Sequence, residues 1–183
     1  MLEVRETTLA GVKEIRPARF GDSRGFFSET WNREAMAGAG LRFDFVQDNH
    51  SMSADRGVVR GLHFQIPPAA QDKLVRVSRG AIFDVAVDLR QKSPTFGHWV
   101  GIVLSAAEWN QLLIPAGFAH GFKTLEENCE VQYKVTAAYA PELERSIRWD
   151  DPAIGIDWPA VGGPILSEKD AAAPLLADIE IPF

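Results

Sequence analysis

The chain has 183 residues, of which 46% are hydrophobic, and it carries a formal net charge of −6. This length and apolar content allow a sizeable core, and no linker rich in Gly, Ser or Pro divides the sequence, so we expect one domain over residues 1–183. The acidic balance argues against a nucleic-acid-binding surface, which needs a clustered basic face. A single nucleotide stays possible, because a few placed Arg and Lys side chains suffice to bind a pyrophosphate.

The sequence contains one cysteine, Cys129, which has no partner for an intramolecular disulfide. Because Glu130 follows it and disfavours a thiolate, we expect a structural thiol. The first residues lack the basic start and apolar run of a signal peptide, and no window approaches the length of a membrane span. We therefore expect a cytoplasmic protein.

Short segments of alternating polarity begin the chain. Residues 8–12 and 13–16 predict edge strands, which end at Pro17. A turn and then a strand bearing Arg24 and Glu29 are predicted over residues 22–31. The charge pattern of those two residues, taken alone, indicates a solvated loop with one surface ion pair.

A short helix is predicted over residues 32–37, with Asn32 as its cap and Gly38 as its end. Strands are predicted over residues 43–47 and 80–90. Residues of the second strand alternate between an apolar face (Phe83, Val85, Val87 and Leu89) and an opposite face (Asp84, Ala86, Asp88 and Arg90). Such alternation over many short strands is typical of an all-β antiparallel sandwich or barrel.

The centre of the chain carries unusual strands. Two apolar runs, residues 58–64 and 74–77, flank a Pro-Pro turn and predict a pair of strands joined by a loop. Charged, imidazole and amide side chains lie in and beside these runs, where a plain core strand would not contain them: Arg60, His63, Gln65, Lys73 and Arg76. This concentration indicates a site. In ideal alternation Arg60 and His63 point to opposite faces, so the strand must bulge or twist near Gly61 if both line that site.

Capping signals and turns follow in the second half. The capping-box spacing of residues 105–108 predicts a helical turn that runs toward Leu112 and stops at Pro115. The spacing from Pro115 through Gly117 to His120 predicts a turn that delivers the histidine onto a new strand.

The last predicted strand covers residues 130–135, with Tyr133 on its apolar face and therefore pointing into the barrel. Further on, Ser167 and Asp170 have the spacing of a helix-starting cap, and Pro174 limits the helix. This cap gives Asp170 a purely structural explanation.

Several short segments of the sequence resemble the motifs of one protein family and occur in the same order. They are residues 22–29, 60–65, 71–75, 84–90, 115–122, 149–152 and 167–170. Together they resemble the dTDP-4-dehydrorhamnose 3,5-epimerase family, the cupin-type nucleotide-sugar epimerases, over nearly the whole chain. The resemblance implies a cupin-like jelly-roll barrel or sandwich with a few short peripheral helices. It also implies a homodimer that exchanges N-terminal strands, which would cover the unpaired amides of an exposed strand edge.

The resemblance further implies site residues. The substrate-binding set is Arg24, Glu29, Gln47 and Asn49 for the nucleotide, with Arg60, His120, Glu144 and Lys169 as further contacts. Lys73 is implied to lie next to the sugar carbonyl, and Asp170 is implied to pair with His63. The dTDP-4-keto-6-deoxy sugar is the implied substrate, with no nucleic-acid or membrane partner.

The residue types suit this chemistry. Protons beside a ketone are acidified, and epimerisation removes one and returns one to the opposite face. His63 suits the base, because the unperturbed pKa of histidine is about 6.5, and Tyr133 suits the opposed acid. Lys73 is the candidate donor to the enolate oxygen. Inversion of both C3 and C5 of dTDP-4-dehydro-6-deoxy-D-glucose, giving dTDP-4-dehydro-L-rhamnose for dTDP-L-rhamnose biosynthesis, is the function that we expect.

Alternatives remain at this point. A lone strand histidine is usually structural, a tyrosine on an apolar face is usually core, and loop amides usually cap turns. A mono-epimerase that inverts C3 or C5 alone, and a non-catalytic sugar-binding cupin, would use the same pocket. A metal-dependent cupin ranks lower, because the paired histidines that often bind metal in cupins are broken here as His63-Phe-Gln65. We expect no metal and no cofactor.

Overall fold

The computed structural model describes residues 2–183, and most of its regular structure is antiparallel strand. The strands are β1 Glu3–Glu6, β2 Lys13–Arg16, β3 Phe20–Asp22, β4 Gly25–Phe27, β5 Gln47–Ser53, β6 Val59–Gln65, β7 Lys73–Arg79, β8 Ala81–Asp88, β9 Trp99–Ser105, β10 Gln111–Ile114, β11 Phe118–Thr124, β12 Cys129–Val135 and β13 Glu144–Ser146. The helices are α1 Arg33–Gly38 and α2 Glu168–Ala171, with 3-10 turns at Pro141–Leu143 and Leu176–Asp178. The all-β prediction is confirmed.

Two sheets face each other. The first has the strand order β1-β2-β10-β7-β12-β5, the second has the order β13-β6-β11-β8-β9, and β3 and β4 form a separate hairpin. Apolar side chains between the sheets form the main core: Leu9, Val12, Val75, Val77, Ile82, Ala86, Leu104, Leu112, Ile114, Phe118, Phe122 and Val131. The loop between β6 and β7 therefore crosses from one sheet to the other.

The second sheet is covered on its outer face as well. Val85, Val87 and Leu89 pack there against Ile147, Ile154 and other residues of the C-terminal tail. Since Asp84 and Ala86 alternate with them, the predicted faces of β8 are confirmed. Ile165 of the tail also forms a bridge with Val58, the residue that precedes β6. This packing brings α2 to the end of the barrel.

A bulge in β6 decides where its polar side chains point. His63 lies opposite His120 of β11, and Arg60 lies opposite Phe122, so Gly61 and Leu62 face the single residue between those partners. Gly61 has φ +120°, and a Cβ there would lie 2.6 Å from the Cα of Gly121. Only glycine fits this close approach. The bulge turns Arg60 and His63 toward the same cavity, as predicted.

Several strand predictions are wrong in detail. Residues 8–12 form the turn between β1 and β2, where the Thr7 hydroxyl donates to Val12 O. In addition, β2 pairs on both sides, so of the two N-terminal strands only β1 lies at a sheet edge. Residues 43–46 are irregular because Phe43 and Phe45 pack over the cluster around α1, and β5 begins at Gln47.

The helical turn near residue 105 starts as predicted but stays short. Ser105 Oγ accepts a hydrogen bond from Glu108 N at 3.0 Å. The Asn110 side chain then binds Ser105 N and Val103 O, which closes the loop. Leu112 consequently belongs to β10, and the turn does not reach it.

Both predicted helix caps are confirmed. Asn32 caps α1 by accepting from the backbone of Glu34 and Ala35, and Ser167 caps α2 by accepting from Asp170 N. Cys129 is buried, and its thiol donates to Ala81 O at 3.2 Å, as expected of a structural thiol.

Candidate active site

A cavity opens between the two sheets at the end reached by α2. Its main lobe, of about 420 Å³, is lined by Arg60, His63, Lys73, His120, Tyr133, Lys169 and Asp170 among others. A second lobe, of about 290 Å³, shares His63, Lys73 and Tyr133 and adds Gln47, Asn49 and Glu144. The structure thus brings together every predicted site residue except Arg24 and Glu29.

His63 and Asp170 form an imidazole–carboxylate pair. His63 Nε2 lies 2.5 Å from Asp170 Oδ1, and Ser167 Oγ donates to Asp170 Oδ2 at 2.9 Å. Burial would raise the pKa of Asp170, but the hydrogen bond and charge of His63 and the hydroxyl of Ser167 hold that pKa below its ordinary value. An ionised Asp170 keeps a proton on Nε2, which leaves Nδ1 of His63 as the nitrogen able to accept one.

Lys73 places an ammonium group inside the barrel. The residue is 8% exposed, and its Nζ donates to His63 O at 3.3 Å. Burial lowers the pKa of Lys73 from 10.5 to about 8, although the charges of Asp84 and Glu144 oppose this shift. Lys73 therefore remains mostly protonated near pH 7, and its proton is more acidic than that of a surface lysine.

Tyr133 points into the same space from β12, where its inward-facing neighbours Val131 and Val135 are buried in the core. Burial raises the pKa of the Tyr133 phenol, the charge of Glu144 adds to this, and the charge of Arg60 opposes it. The phenol therefore holds its proton at neutral pH and can act as an acid.

Charged side chains stand at the cavity rim. Lys169 Nζ contacts the Glu144 carboxylate, and the Tyr139 hydroxyl donates to Glu144 Oε2 at 2.9 Å. Burial would raise the pKa of Glu144, but Lys169 and Tyr139 lower it below its ordinary value. Arg60 is anchored on the other side, with Nε donating to Ser53 Oγ at 3.2 Å.

Two amides complete the second lobe. Gln47 Nε2 donates to Asn49 Oδ1 at 2.8 Å, while Gln47 Oε1 accepts from Tyr139 N at 3.0 Å. Sequence reasoning missed Tyr139, because it lies in a loop whose path depends on that tertiary hydrogen bond. Its aromatic ring is exposed at the cavity.

A second imidazole–carboxylate pair lies deeper. His120 Nε2 is 2.7 Å from Asp84 Oδ1, and both side chains are buried. Asp84 was not predicted as a site residue, although its position on the face of β8 opposite the predicted apolar face was a usable signal. His120 arrives on β11 after the Pro115–Gly117 turn, as predicted.

Arg24 and Glu29 lie elsewhere in the single chain. Arg24 is exposed in the turn between β3 and β4, where it pairs with Asp22, and Glu29 follows β4 instead of belonging to the predicted strand. Glu29 lines a separate groove beside α1. The hairpin presents three exposed aromatic side chains, Phe20, Phe26 and Phe27.

Two further features concern metal ions and membranes. Residues 2–183 contain no group of three or more His, Cys, Asp or Glu side chains that could hold a metal ion. In the same residues no helix has the length and apolar content needed to cross a bilayer.

The jelly-roll arrangement and its polar cavity define a cupin-like isomerase. Residues 6–178 match the family model described as dTDP-4-dehydrorhamnose 3,5-epimerase, and the chain belongs to that family.

Relatives and solved structures agree with this assignment. The enzyme of that name from Sinorhizobium fredii is 54% identical over 96% of this chain and 90% of its own length. The Legionella pneumophila dTDP-6-deoxy-D-glucose-3,5-epimerase, solved with dTDP-4-keto-L-rhamnose, has a TM-score of 0.94 and 46% identity and covers 98% of this chain and 95% of its own. The Bacillus anthracis dTDP-4-dehydrorhamnose 3,5-epimerase, solved with TDP and pyrophosphate, has a TM-score of 0.93 and 49% identity, with coverage of 96% and 100%.

Proposed function

We propose that this chain epimerises dTDP-4-dehydro-6-deoxy-D-glucose at C3 and C5, giving dTDP-4-dehydro-L-rhamnose for dTDP-L-rhamnose biosynthesis. The observation that carries the proposal is the shared cavity of His63, Lys73 and Tyr133. These supply a base, a hydrogen-bond donor and an acid around one space. Membership of the epimerase family and the dTDP-sugar complex of the Legionella relative support the substrate.

Each inversion has two proton transfers. His63 Nδ1 takes the proton from the carbon beside the carbonyl, and the electrons of the broken C–H bond move onto the carbonyl oxygen. Lys73 donates a hydrogen bond to that oxygen as the enolate forms, and Asp170 stabilises the imidazolium. Tyr133 then gives its proton to the opposite face of the same carbon. Exchange with water returns a proton to Tyr133 and removes one from His63.

We assign binding of the nucleotide part of the substrate to side chains at the rim of the cavity. Arg60 and Lys169 supply positive charge for the pyrophosphate, and Gln47 and Asn49 supply the donor and acceptor pairs that a thymine edge requires. His120 and Glu144 contact the sugar side of the substrate. We further propose that residues 1–183 act as one domain and work in the cytoplasm.

A homodimer with exchanged N-terminal strands is also part of the proposal. The edge strand β1 leaves amides unpaired, and the β3–β4 hairpin exposes three phenylalanine rings beside Arg24. In a dimer these groups reach the partner's cavity, where Arg24 and Glu29 contact the nucleotide.

Mixing two inactive variants tests this arrangement. Arg24→Ala subunits and His63→Asn subunits should regain about a quarter of wild-type turnover after joint refolding, because half of the dimers are mixed and each has one intact site. The separately refolded variants are the controls. No recovery from subunits that form mixed dimers would contradict the exchange.

Deuterium incorporation tests the reaction itself. In deuterated water, enzyme and substrate should yield label at both C3 and C5, because one polarised carbonyl acidifies both neighbouring carbons. Label at one carbon alone would make the protein a mono-epimerase, and no label with substrate demonstrably bound would leave a sugar-binding protein. Parallel samples dialysed against a chelator should label equally, and a loss that added metal restores would indicate a metal-dependent cupin.

A further inference from the structure

Asp84 is a buried carboxylate to which the proposed mechanism gives no role. It lies on the inner face of β8 with 0% exposure, and its Oδ1 binds His120 Nε2. Its other oxygen, Oδ2, is buried and has no hydrogen-bond partner among the described residues. A buried carboxylate with an unpaired oxygen costs stability, so a purely structural role would be better served by an apolar residue.

The position of Asp84 links two groups of the cavity. His120 lines the main lobe, and a carboxylate at its Nε2 fixes both the tautomer and the ring orientation. Lys73 lines both lobes, and among the charges that stabilise its buried ammonium the largest effect comes from Asp84. One anion thus acts on an imidazole and an ammonium that face the same space.

We propose that Asp84 is a positioning residue for epimerisation, which holds a proton on Nε2 of His120 and keeps Lys73 in its ammonium form. The role deepens the proposed function, on which it rests, because the ammonium matters through its hydrogen bond to the carbonyl oxygen. Asp84 itself does not touch the substrate.

Other charges around Lys73 must be kept constant in any test. The titratable and charged side chains that line the two lobes with it, from β6, β11, β12, β13, α2 and the loop before β13, are Arg60, His63, His120, Tyr133, Tyr139, Glu144, Lys169 and Asp170. Of these, Glu144 is the second anion that stabilises the Lys73 ammonium. Substitution at Asp84 alone leaves all of them in place.

The direct measurement is the titration of Lys73 in the free protein, followed by NMR with lysine labelled at Cε and Nζ. In wild type the midpoint should lie at about 8. Asp84→Asn should lower it by about one pH unit or more, since loss of a nearby opposite charge has this effect. Asp84→Glu keeps the negative charge, so its Lys73 midpoint should lie close to the wild-type value.

Asp88→Asn is the matched control. Asp88 is also fully buried on β8, but it binds Arg90, Ser93 and Thr95 and lines neither lobe of the cavity. Its substitution should lower stability and leave the Lys73 midpoint unchanged. An unchanged midpoint in folded Asp84→Asn would overturn the proposal.

The second measurement is the pH profile of turnover for wild type and for Asp84→Asn. A lower Lys73 midpoint moves the alkaline limb of the Asp84→Asn profile to lower pH by the same amount, so the loss relative to wild type grows by about sixfold or more between about pH 6.5 and pH 8.5. A profile of unchanged shape would contradict the proposal. If wild type itself labels no substrate, the proposed function fails, while the NMR titration still decides whether Asp84 controls Lys73.

A measurement on wild type covers the case in which Asp84→Asn does not fold. The chain has four histidines, and imidazole ¹⁵N spectra distinguish the protonated nitrogen of each. Nε2 of His120 should stay protonated across the pH range in which the protein is folded. An unprotonated Nε2 would overturn the assignment of Asp84.

Discussion

The cavity contains two His–Asp pairs that differ in burial and construction. In the His63–Asp170 pair the imidazole is 28% exposed and the carboxylate comes from the tail helix α2. In the His120–Asp84 pair the side chains are 8% and 0% exposed, and both come from neighbouring strands of one sheet. A base must exchange protons with substrate and then with water, so the exposed pair suits proton transfer and the buried pair suits fixing a geometry.

Substitution of the two histidines gives the largest expected difference. His63→Asn removes the base while keeping much of the shape, so turnover should fall by about 10² to 10⁴ or more. His120→Gln removes a substrate contact but no proton transfer, and we expect about a tenfold loss. Steady-state assays of both variants measure the contrast. Equal losses, with both proteins folded by circular dichroism and still binding dTDP, would mean that burial does not separate the two roles.

Lys73, which lines the same cavity as the two pairs, should show opposite effects on activity and stability. Lys73→Met removes the donor to the enolate oxygen, and turnover should fall by about 10² to 10³. The same change should stabilise the fold at pH 7 by up to about 3 kcal/mol, because the variant no longer buries an ammonium group.

The sign of the pH dependence follows from the Lys73 pKa. In the folded state it is about 8, below the ordinary 10.5, so the unfolded chain binds the proton more tightly and the ammonium costs stability below pH 8. That cost fades as the pH rises from about 8 to about 10.5, and the advantage of Lys73→Met should fade with it. Urea unfolding at both ends of this range measures the difference. An advantage that does not change with pH would contradict the buried ammonium.

The elements around the cavity differ in how far the sequence predicts them. The bulge at Gly61 was predictable because Arg60 and His63 needed one face at a spacing that a regular strand does not allow. Strands such as β8 and β12 were predictable from their alternation. The irregular path of residues 43–46 was not, since Phe43 and Phe45 find their partners around α1, which is a tertiary contact.

The candidate site, too, could be predicted only in part from local sequence pattern. Its residues were predicted largely from family resemblance, because local pattern alone favours structural explanations for His63 and Tyr133. The pairing of Asp84 with His120 runs diagonally between β8 and β11 and depends on the register of the two strands, which alternation does not specify. Tyr139 was missed for a similar reason, since the hydrogen bond that its backbone N donates to Gln47 of a distant strand positions its loop.

The smallest expected effects separate the two functions of the α2 cap. Asp170→Asn leaves the helix cap by Ser167 Oγ intact but removes the charge that holds the imidazolium, so we expect about a tenfold to hundredfold loss of turnover. Ser167→Ala removes the cap and one hydrogen bond to Asp170, and should cost about 1 kcal/mol of stability with less than about a tenfold effect on turnover.

The folded pKa of Asp170 is lowered, so its ionisation stabilises the fold above the unfolded pKa, and this stabilisation is lost as the pH falls through the folded pKa. The stability difference between wild type and Asp170→Asn should therefore shrink in acid. If Asp170→Asn keeps full turnover and loses only stability, the Asp170 carboxylate has a structural role alone, and the two His–Asp pairs do not differ in the way proposed.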